Sequence, residues 1–138
     1  DGLINSNYGW CIFSEANGNQ FDASIKSLIE NPDSRRACMI YIRPSMQVDY
    51  CKNGMSDFMC TYSTQQLIRN GKLEYLVYMR SNDVCYGFRN DYHWHHYVHT
   101  EMLKELQVTY PNLELGNIYW NAGSLHVYSR HFSLLETE

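Results

Sequence analysis

The dipeptide Asn70-Gly71 stands between two apolar runs, residues 58–68 and 73–79. Asn-Gly is the strongest short-range signal for a two-residue β-hairpin, because both central positions need positive φ and these two residues tolerate it. The chain is therefore expected to form at least one antiparallel strand pair. That pair has a chemical consequence. A hairpin centred near Asn70 sets Cys60 opposite Arg80, ten residues to either side. A guanidinium beside a thiol favours the thiolate, which is the nucleophilic form.

Other segments fill in an α+β fold. Phe21, Ile25, Leu28 and Ile29 recur at helical spacing until Asn31-Pro32-Asp33 stops the run. Residues 37–42 are apolar and strand-like, and Pro44 ends them. Residues 49–57 are polar, with Asn53-Gly54 as a turn signal. Asp91 is placed to N-cap a helix reaching Gln107, with Trp94, Val98, Met102 and Leu106 on one face. Residues 118–120 and 125–132 read as two further strands about a turn at Asn121-Ala122-Gly123. The pattern predicts more strand than helix, in one domain spanning residues 1–138.

Charge and cysteine usage exclude several classes. The net charge is −4 and there is no basic run, which disfavours a nucleic-acid-coating surface. No stretch approaches eighteen apolar residues, so no membrane span is expected. The five cysteines are odd in number and lack CxxC spacing, which argues against a disulfide framework or zinc knuckle and for reduced thiols in a cytoplasm. His95 and His99 share a helical face, but no intervening Glu of an HExxH motif and no third ligand stands with them. A solvated or interface histidine face is the expectation, with no metal. Arg35-Arg36 and Arg80-Ser81 are two candidate anion clamps, since guanidinium forks match phosphate oxygens.

Seven ordered motifs go further. They are Ile-Asn-Ser-Asn-Tyr-Gly-Trp at 4–10, Asn-Pro-Asp-Ser-Arg-Arg at 31–36, Arg-Pro-Ser-Met-Gln at 43–47 and Asp-Tyr-Cys-Lys-Asn-Gly-Met-Ser-Asp-Phe-Met-Cys-Thr at 49–61. Met-Arg-Ser-Asn-Asp-Val at 79–84, Gly-Phe-Arg-Asn-Asp-Tyr at 87–92 and Gly-Ser-Leu-His-Val-Tyr-Ser-Arg-His-Phe at 123–132 follow. Together they resemble the thymidylate synthase superfamily and, within it, the phage-type deoxycytidylate (dCMP) hydroxymethylases. The resemblance implies a mixed β-sheet flanked by helices, with the sheet forming a homodimer interface. It implies a cytoplasmic enzyme that transfers a one-carbon unit from 5,10-methylenetetrahydrofolate to carbon 5 of a pyrimidine nucleoside monophosphate.

The resemblance also assigns roles. Cys60 matches the nucleophile that adds to carbon 6 of the pyrimidine. Arg80 and Ser81 match phosphate ligands of the same subunit. Arg35 and Arg36 match arginines that cross the dimer to the partner's phosphate. Gln65 matches a residue near the nucleotide, His126 and Tyr128 the pair on the sugar 3′-hydroxyl, and Asp83 the aspartate that orders folate and base. Tyr8 matches a tyrosine close to the thiol. Carbon 5, made nucleophilic, takes the one-carbon unit. Water then completes the reaction in a hydroxymethylase, and hydride in a thymidylate synthase.

The departures bear on substrate. Thymidylate synthases carry His after the nucleophile, Asn at position 91 and Pro-Phe before it. Here stand Thr61, Asp91 and Arg89-Asn90. Uracil offers a ring N–H beside a carbonyl, which an amide matches with its oxygen and nitrogen. Cytosine offers a bare ring nitrogen beside an amino group. A carboxyl group matches that pattern in either of two ways. The acid is protonated, or the ring nitrogen takes the proton and the carboxylate accepts twice. Mismatched groups are left unpaired, so discrimination can be large. Asp91 thus implies dCMP. The alternatives are a dUMP or CMP enzyme of the same superfamily, or a non-catalytic nucleotide-binding fragment. The family carries a further N-terminal portion, with a catalytic glutamate, before the Tyr-Gly motif. Residues 1–138 are therefore expected to be the central and C-terminal part of such a domain.

Overall fold

Asn70 and Gly71 both adopt positive φ, 52° and 73°, the pair of conformations a two-residue type I′ turn requires. They join β2 (Thr61–Arg69) to β3 (Lys72–Asp83) in antiparallel register. The computed structural model describes residues 6–52 and 58–136. On one side of the hairpin lies β1 (Cys38–Ile40), antiparallel to β2; on the other lies β4 (Glu114–His126), parallel to β3. The result is one four-stranded mixed sheet in the order β1-β2-β3-β4.

Helices cover one face of this sheet. They are α1 (Tyr8–Phe13), α2 (Gln20–Glu30), the single turn α3 (Met46–Asp49) and α4 (Gly87–Gln107). Asn7 caps α1 by accepting from the Trp10 amide at 2.9 Å. Phe21, Ile25 and Leu28 bury the inner face of α2, as their spacing predicts, while Ile29 faces solvent. Val98, Met102 and Leu106 of α4 pack over Leu73, Tyr75, Val77 and Met79, the alternate residues of β3. Each such side chain contributes roughly 1.5–3 kcal/mol when fully buried. The opposite sheet face carries exposed Ile40, Tyr78 and Tyr119.

Four expectations need correction. Asp91 does not cap α4: the helix begins one turn earlier, at Gly87, and Asp83 accepts from the amides of Tyr86 and Gly87 instead. Asn121-Ala122-Gly123 is not a turn, because β4 runs straight through it. A Cβ on Gly123 would lie 3.1 Å from the Arg80 carbonyl oxygen, so the glycine permits close approach of two parallel strands. Residues 125–132 are accordingly not a strand; β4 ends at His126 and a 3₁₀ turn follows at Ser129–Leu134. Among the described residues the four helices hold more of the chain than the four strands, chiefly because α4 is long. The expected turn at Asn53-Gly54 lies outside the described residues. Among those described, no helix is long and apolar enough to cross a membrane.

Candidate functional site

Cys60 and Arg80 do fall opposite each other. The Arg80 amide donates to the Cys60 carbonyl at 2.7 Å. The Arg80 side chain folds back along the same strand end, with Nε donating to the Met59 carbonyl at 3.2 Å. Its guanidinium lies 4.8 Å from the centre of the Phe58 ring. The half-buried Cys60 thiol faces the Phe58 carbonyl at 3.8 Å. None of the five cysteines is bridged.

The thiol opens on a cleft of about 390 Å³ whose lining includes Tyr8, Phe58, Cys60, Asn90, Asp91 and Trp94. Three elements build it. The capped turn of α1 brings Tyr8, the residue just before β2 is Cys60, and the second turn of α4 brings Asp91 and Trp94. The sequence-predicted catalytic residues Cys60, Asp91 and Tyr8 thus meet in one place although they are far apart in the chain.

Asp91 is the electrostatic centre of the cleft. Burial pushes its carboxyl up to about 6, against the opposing pull of hydrogen bonds from Tyr8 and Asn82. Asn82 Nδ2 donates to Asp91 Oδ2 at 3.2 Å, and its Oδ1 accepts from Trp120 Nε1 at 3.0 Å. An indole N–H can only donate, so Trp120 fixes which way the Asn82 amide faces and turns its NH₂ toward Asp91. Tyr8 stays a protonated phenol, because burial, then the neighbouring Asp91, push its pKa well above the usual tyrosine value. Sequence reading missed Asn82, although it lies inside the Arg80-Ser81-Asn82-Asp83 motif. Only the fold reveals it: Asn82 is buried on β3, and a buried amide needs partners.

His95 and His99 are not a solvated face. Both are buried in the core. His99 Nε2 donates to the Leu73 carbonyl at 2.6 Å, while His95 Nε2 lies 3.2 Å from Thr61 Oγ1. Burial drives the His95 imidazole down to about 3, so it is neutral. Thr61 Oγ1 in turn lies 2.9 Å from the Tyr8 hydroxyl.

The remaining predicted residues stand elsewhere. Asp83 and His126 are register partners at the ends of β3 and β4, and Ser81 pairs with Ser124. His126 and Tyr128 stack edge to face, with ring centres 5.1 Å apart. Burial raises the Asp83 carboxyl, but amide donors from Cys85, Gly87 and Tyr86 outweigh it and hold the group below the usual range. Asp83, Cys85 and His131 bring three ligand-type atoms within 4.8 Å of one another, but the carboxylate is already engaged by the first turn of α4. Gln65 is drawn away from the thiol: its Nε2 donates to the Arg35 carbonyl at 3.0 Å. Arg35 and Arg36 are exposed and line a separate cleft of about 620 Å³ that shares no residue with that of Cys60.

The family model described as thymidylate synthase matches residues 2–138. A deoxycytidylate 5-hydroxymethyltransferase of Enterobacteria phage T6 is 57% identical over 98% of this chain and 56% of its own length. The phage T4 protein of the same description is 56% identical over the same shares. A thymidylate synthase of Bacillus licheniformis is 31% identical over all of this chain and 48% of its own. Among solved structures, thermostable thymidylate synthase A from Bacillus subtilis superposes with a TM-score of 0.73 at 32% identity, covering 98% of this chain and 47% of that one. The chain spans about half the length of the curated relatives it matches.

Proposed function

The chain belongs to the thymidylate synthase family, and from that premise we propose that it carries nucleotide-handling machinery of a folate-dependent dCMP 5-hydroxymethylase. The observation that carries this reading is the meeting of Cys60 and Asp91 in one cleft. A nucleophile and a base-reading carboxyl must act on the same ring, and here both line the same space. The descriptions of the phage relatives support the choice of dCMP.

In this reading the Cys60 thiolate forms a bond to carbon 6, and the π pair of the carbon 5–carbon 6 bond moves away from sulfur toward carbon 5. Asp91 faces the ring nitrogen and amino group of cytosine. A proton shared along that edge draws electrons from the ring and makes carbon 6 a better target. Arg80 and Ser81 hold the phosphate and His126 and Tyr128 the sugar, while Gln65 comes near the nucleotide only by releasing the Arg35 carbonyl. Methylenetetrahydrofolate, when bound, supplies the one-carbon unit. Asp83 keeps an ionised carboxylate near that site, and since both its oxygens already accept amides of the first turn of α4, it orders the folate and base by fixing that turn.

A homodimer completes the proposal. The open sheet face with Ile40, Tyr78 and Tyr119 supports it. Arg35 and Arg36, exposed and remote from this chain's own thiol, are then the pair that reaches the partner's phosphate.

The test is incubation with methylenetetrahydrofolate and nucleotide tritiated at carbon 5. Label is expected to leave dCMP and stay on dUMP. Release from dUMP but not dCMP overturns the substrate assignment. Release from neither, with no nucleotide bound, makes the chain a non-catalytic member of the family.

A further inference from the structure

Asp91 is the end of a longer chain of hydrogen bonds than a base reader needs. The Tyr8 hydroxyl and the Asp91 carboxyl line the same cleft, and hydrogen bonding from Tyr8 pulls the carboxyl's pKa down. Thr61 Oγ1 lies 2.9 Å from the Tyr8 hydroxyl and 3.2 Å from His95 Nε2. His95 Nδ1 lies 3.5 Å from the Tyr75 hydroxyl. Tyr75 bonds Tyr41, whose hydroxyl accepts from Trp94 Nε1 at 3.1 Å. The path leaves α4 at Trp94, touches it again at His95 and ends on it at Asp91, one turn from where it began.

Its direction is set in the middle of the path. Thr61 Oγ1 donates to the Tyr8 oxygen, which leaves the Tyr8 hydrogen for Asp91. The Thr61 oxygen must accept in turn, so His95 Nε2 carries the hydrogen. A neutral imidazole has one N–H, which leaves Nδ1 to accept from Tyr75. At the far end the Trp94 N–H donates to the Tyr41 hydroxyl at 3.1 Å. From Tyr75 onward each link therefore points toward Asp91. The opposite polarity would set a Tyr8 lone pair against the carboxylate. Trp120, through Asn82, supplies a second donor that also starts at an indole N–H.

We propose that Thr61 and His95 are positioning residues which, through this one-way chain, hold the Tyr8 hydroxyl as a donor to Asp91. Asp91 then meets the base as an anion, and the cytosine ring nitrogen carries the shared proton. The inference rests on the reading of Asp91 as the cytosine-facing group and selects between the two protonation patterns that reading allows. Two of the four carboxylate lone-pair positions are taken by Tyr8 and Asn82, leaving two for a ring N–H and an amino N–H. Uracil cannot match that pair, because its carbonyl would face a lone pair. Among the residues lining the cleft, the titratable neighbours of Asp91 are Tyr8 and Cys60; its neighbour on β3, Asn82, carries no charge.

The test needs no nucleotide, so its outcome is independent of whether dCMP is the substrate. Protein labelled with ¹³C at aspartate carboxyls is titrated by NMR, with Asp91 assigned from the signal lost in Asp91→Asn. Tyr8→Phe is expected to raise the Asp91 midpoint by about one to two pH units, the worth of a hydrogen bond to a charged group. Thr61→Val, which removes only the hydroxyl of the middle link, is expected to raise it by a smaller step of about half a unit, and Thr61→Ser to restore it. The ¹⁵N imidazole spectrum of the unmodified protein is expected to show His95 as the neutral Nε2–H tautomer. An Asp91 midpoint unmoved by Thr61→Val, or an Nδ1–H tautomer at His95, overturns the proposal. Should Thr61→Val fail to fold, the tautomer alone decides.

Discussion

The Arg80 amide donates to the Cys60 carbonyl at 2.7 Å, and the two are partners only because Tyr62 is bulged. The turn at Asn70-Gly71 pairs Arg69 with Lys72 and Ser63 with Tyr78. Continued without a break, that register would bring Ser81 opposite Cys60. The register shifts between Thr61 and Ser63, so that Thr61 faces Met79 and Cys60 faces Arg80. An extra residue in one strand also turns the following side chains to the other face. Thr61 consequently points into the core, toward Tyr8 and His95. One inserted residue thus sets both the thiol's cationic neighbour and the contact that links β2 to the cleft.

Gly71 underlies this register, because its φ of 73° is a conformation that side chains with a Cβ disfavour. Nothing lies within 4 Å of where a Cβ would stand, so the cost of a methyl group is conformational rather than steric. Gly71→Ala is expected to lower stability by about 1–2 kcal/mol. Urea denaturation checks this, and a change below a few tenths of a kcal/mol would show that the turn does not hold the hairpin.

Cys60→Ser is expected to abolish release of tritium from carbon 5 of dCMP while leaving nucleotide affinity within a few-fold. The hydroxyl is a far poorer nucleophile at neutral pH, whereas the phosphate clamp at Arg80 is untouched. Equilibrium dialysis and label release together separate the two effects. Retained label release in the serine variant would remove Cys60 from the covalent role.

Asp91→Asn is expected to move preference from dCMP toward dUMP, read as the ratio of label release from the two nucleotides. The same variant carries a stability signature. The Asp91 carboxyl is raised from an ordinary 3.8 to about 6 by burial. A group raised in the fold holds its proton more tightly when folded, so its favourable contribution is complete below about 4 and is lost as pH rises through about 6. Stability of the unmodified protein, measured relative to Asp91→Asn, is therefore expected to fall between those limits. A difference that is flat over that window, or that rises, would contradict the burial of Asp91.

The hairpin and the long helix were legible because their signals are local. Asn70-Gly71 needs no distant partner to turn, and Val98, Met102 and Leu106 recur at helical spacing within a few residues. The start of α4 was misread because Asp83, four residues before Gly87, accepts from its first amides, and Asp91 looked like the better cap only from its own neighbourhood. Asn121-Ala122-Gly123 has turn-like residues whose actual constraint is the Arg80 carbonyl on another strand. His95 was harder still. It sits among exposed His93 and His96, and only the packing of α4 against β2 and β3 separates it from them. Cys60 and Asp91 could be named from motifs, but their meeting is a property of three elements folding together.

The open face of the sheet supports the last prediction. Ile40 of β1, Tyr78 of β3 and Tyr119 of β4 are 54%, 38% and 46% exposed. Tyr119 pairs with Leu76, which pairs with Gln65 on β2, so these side chains run across the sheet rather than along one edge. An apolar face of this kind is stabilised when a second copy covers it. Tyr119→Asp introduces a charge on that face, where a partner would leave it desolvated and unpaired. The protein is expected to sediment as a dimer, and Tyr119→Asp to shift it toward monomer with its helix content preserved. Because Arg35 and Arg36 are proposed to act across that interface, loss of the dimer should weaken nucleotide binding as well. A Tyr119→Asp variant that remains dimeric, or a monomer that binds dCMP undiminished, would separate the arginines from the partner's site.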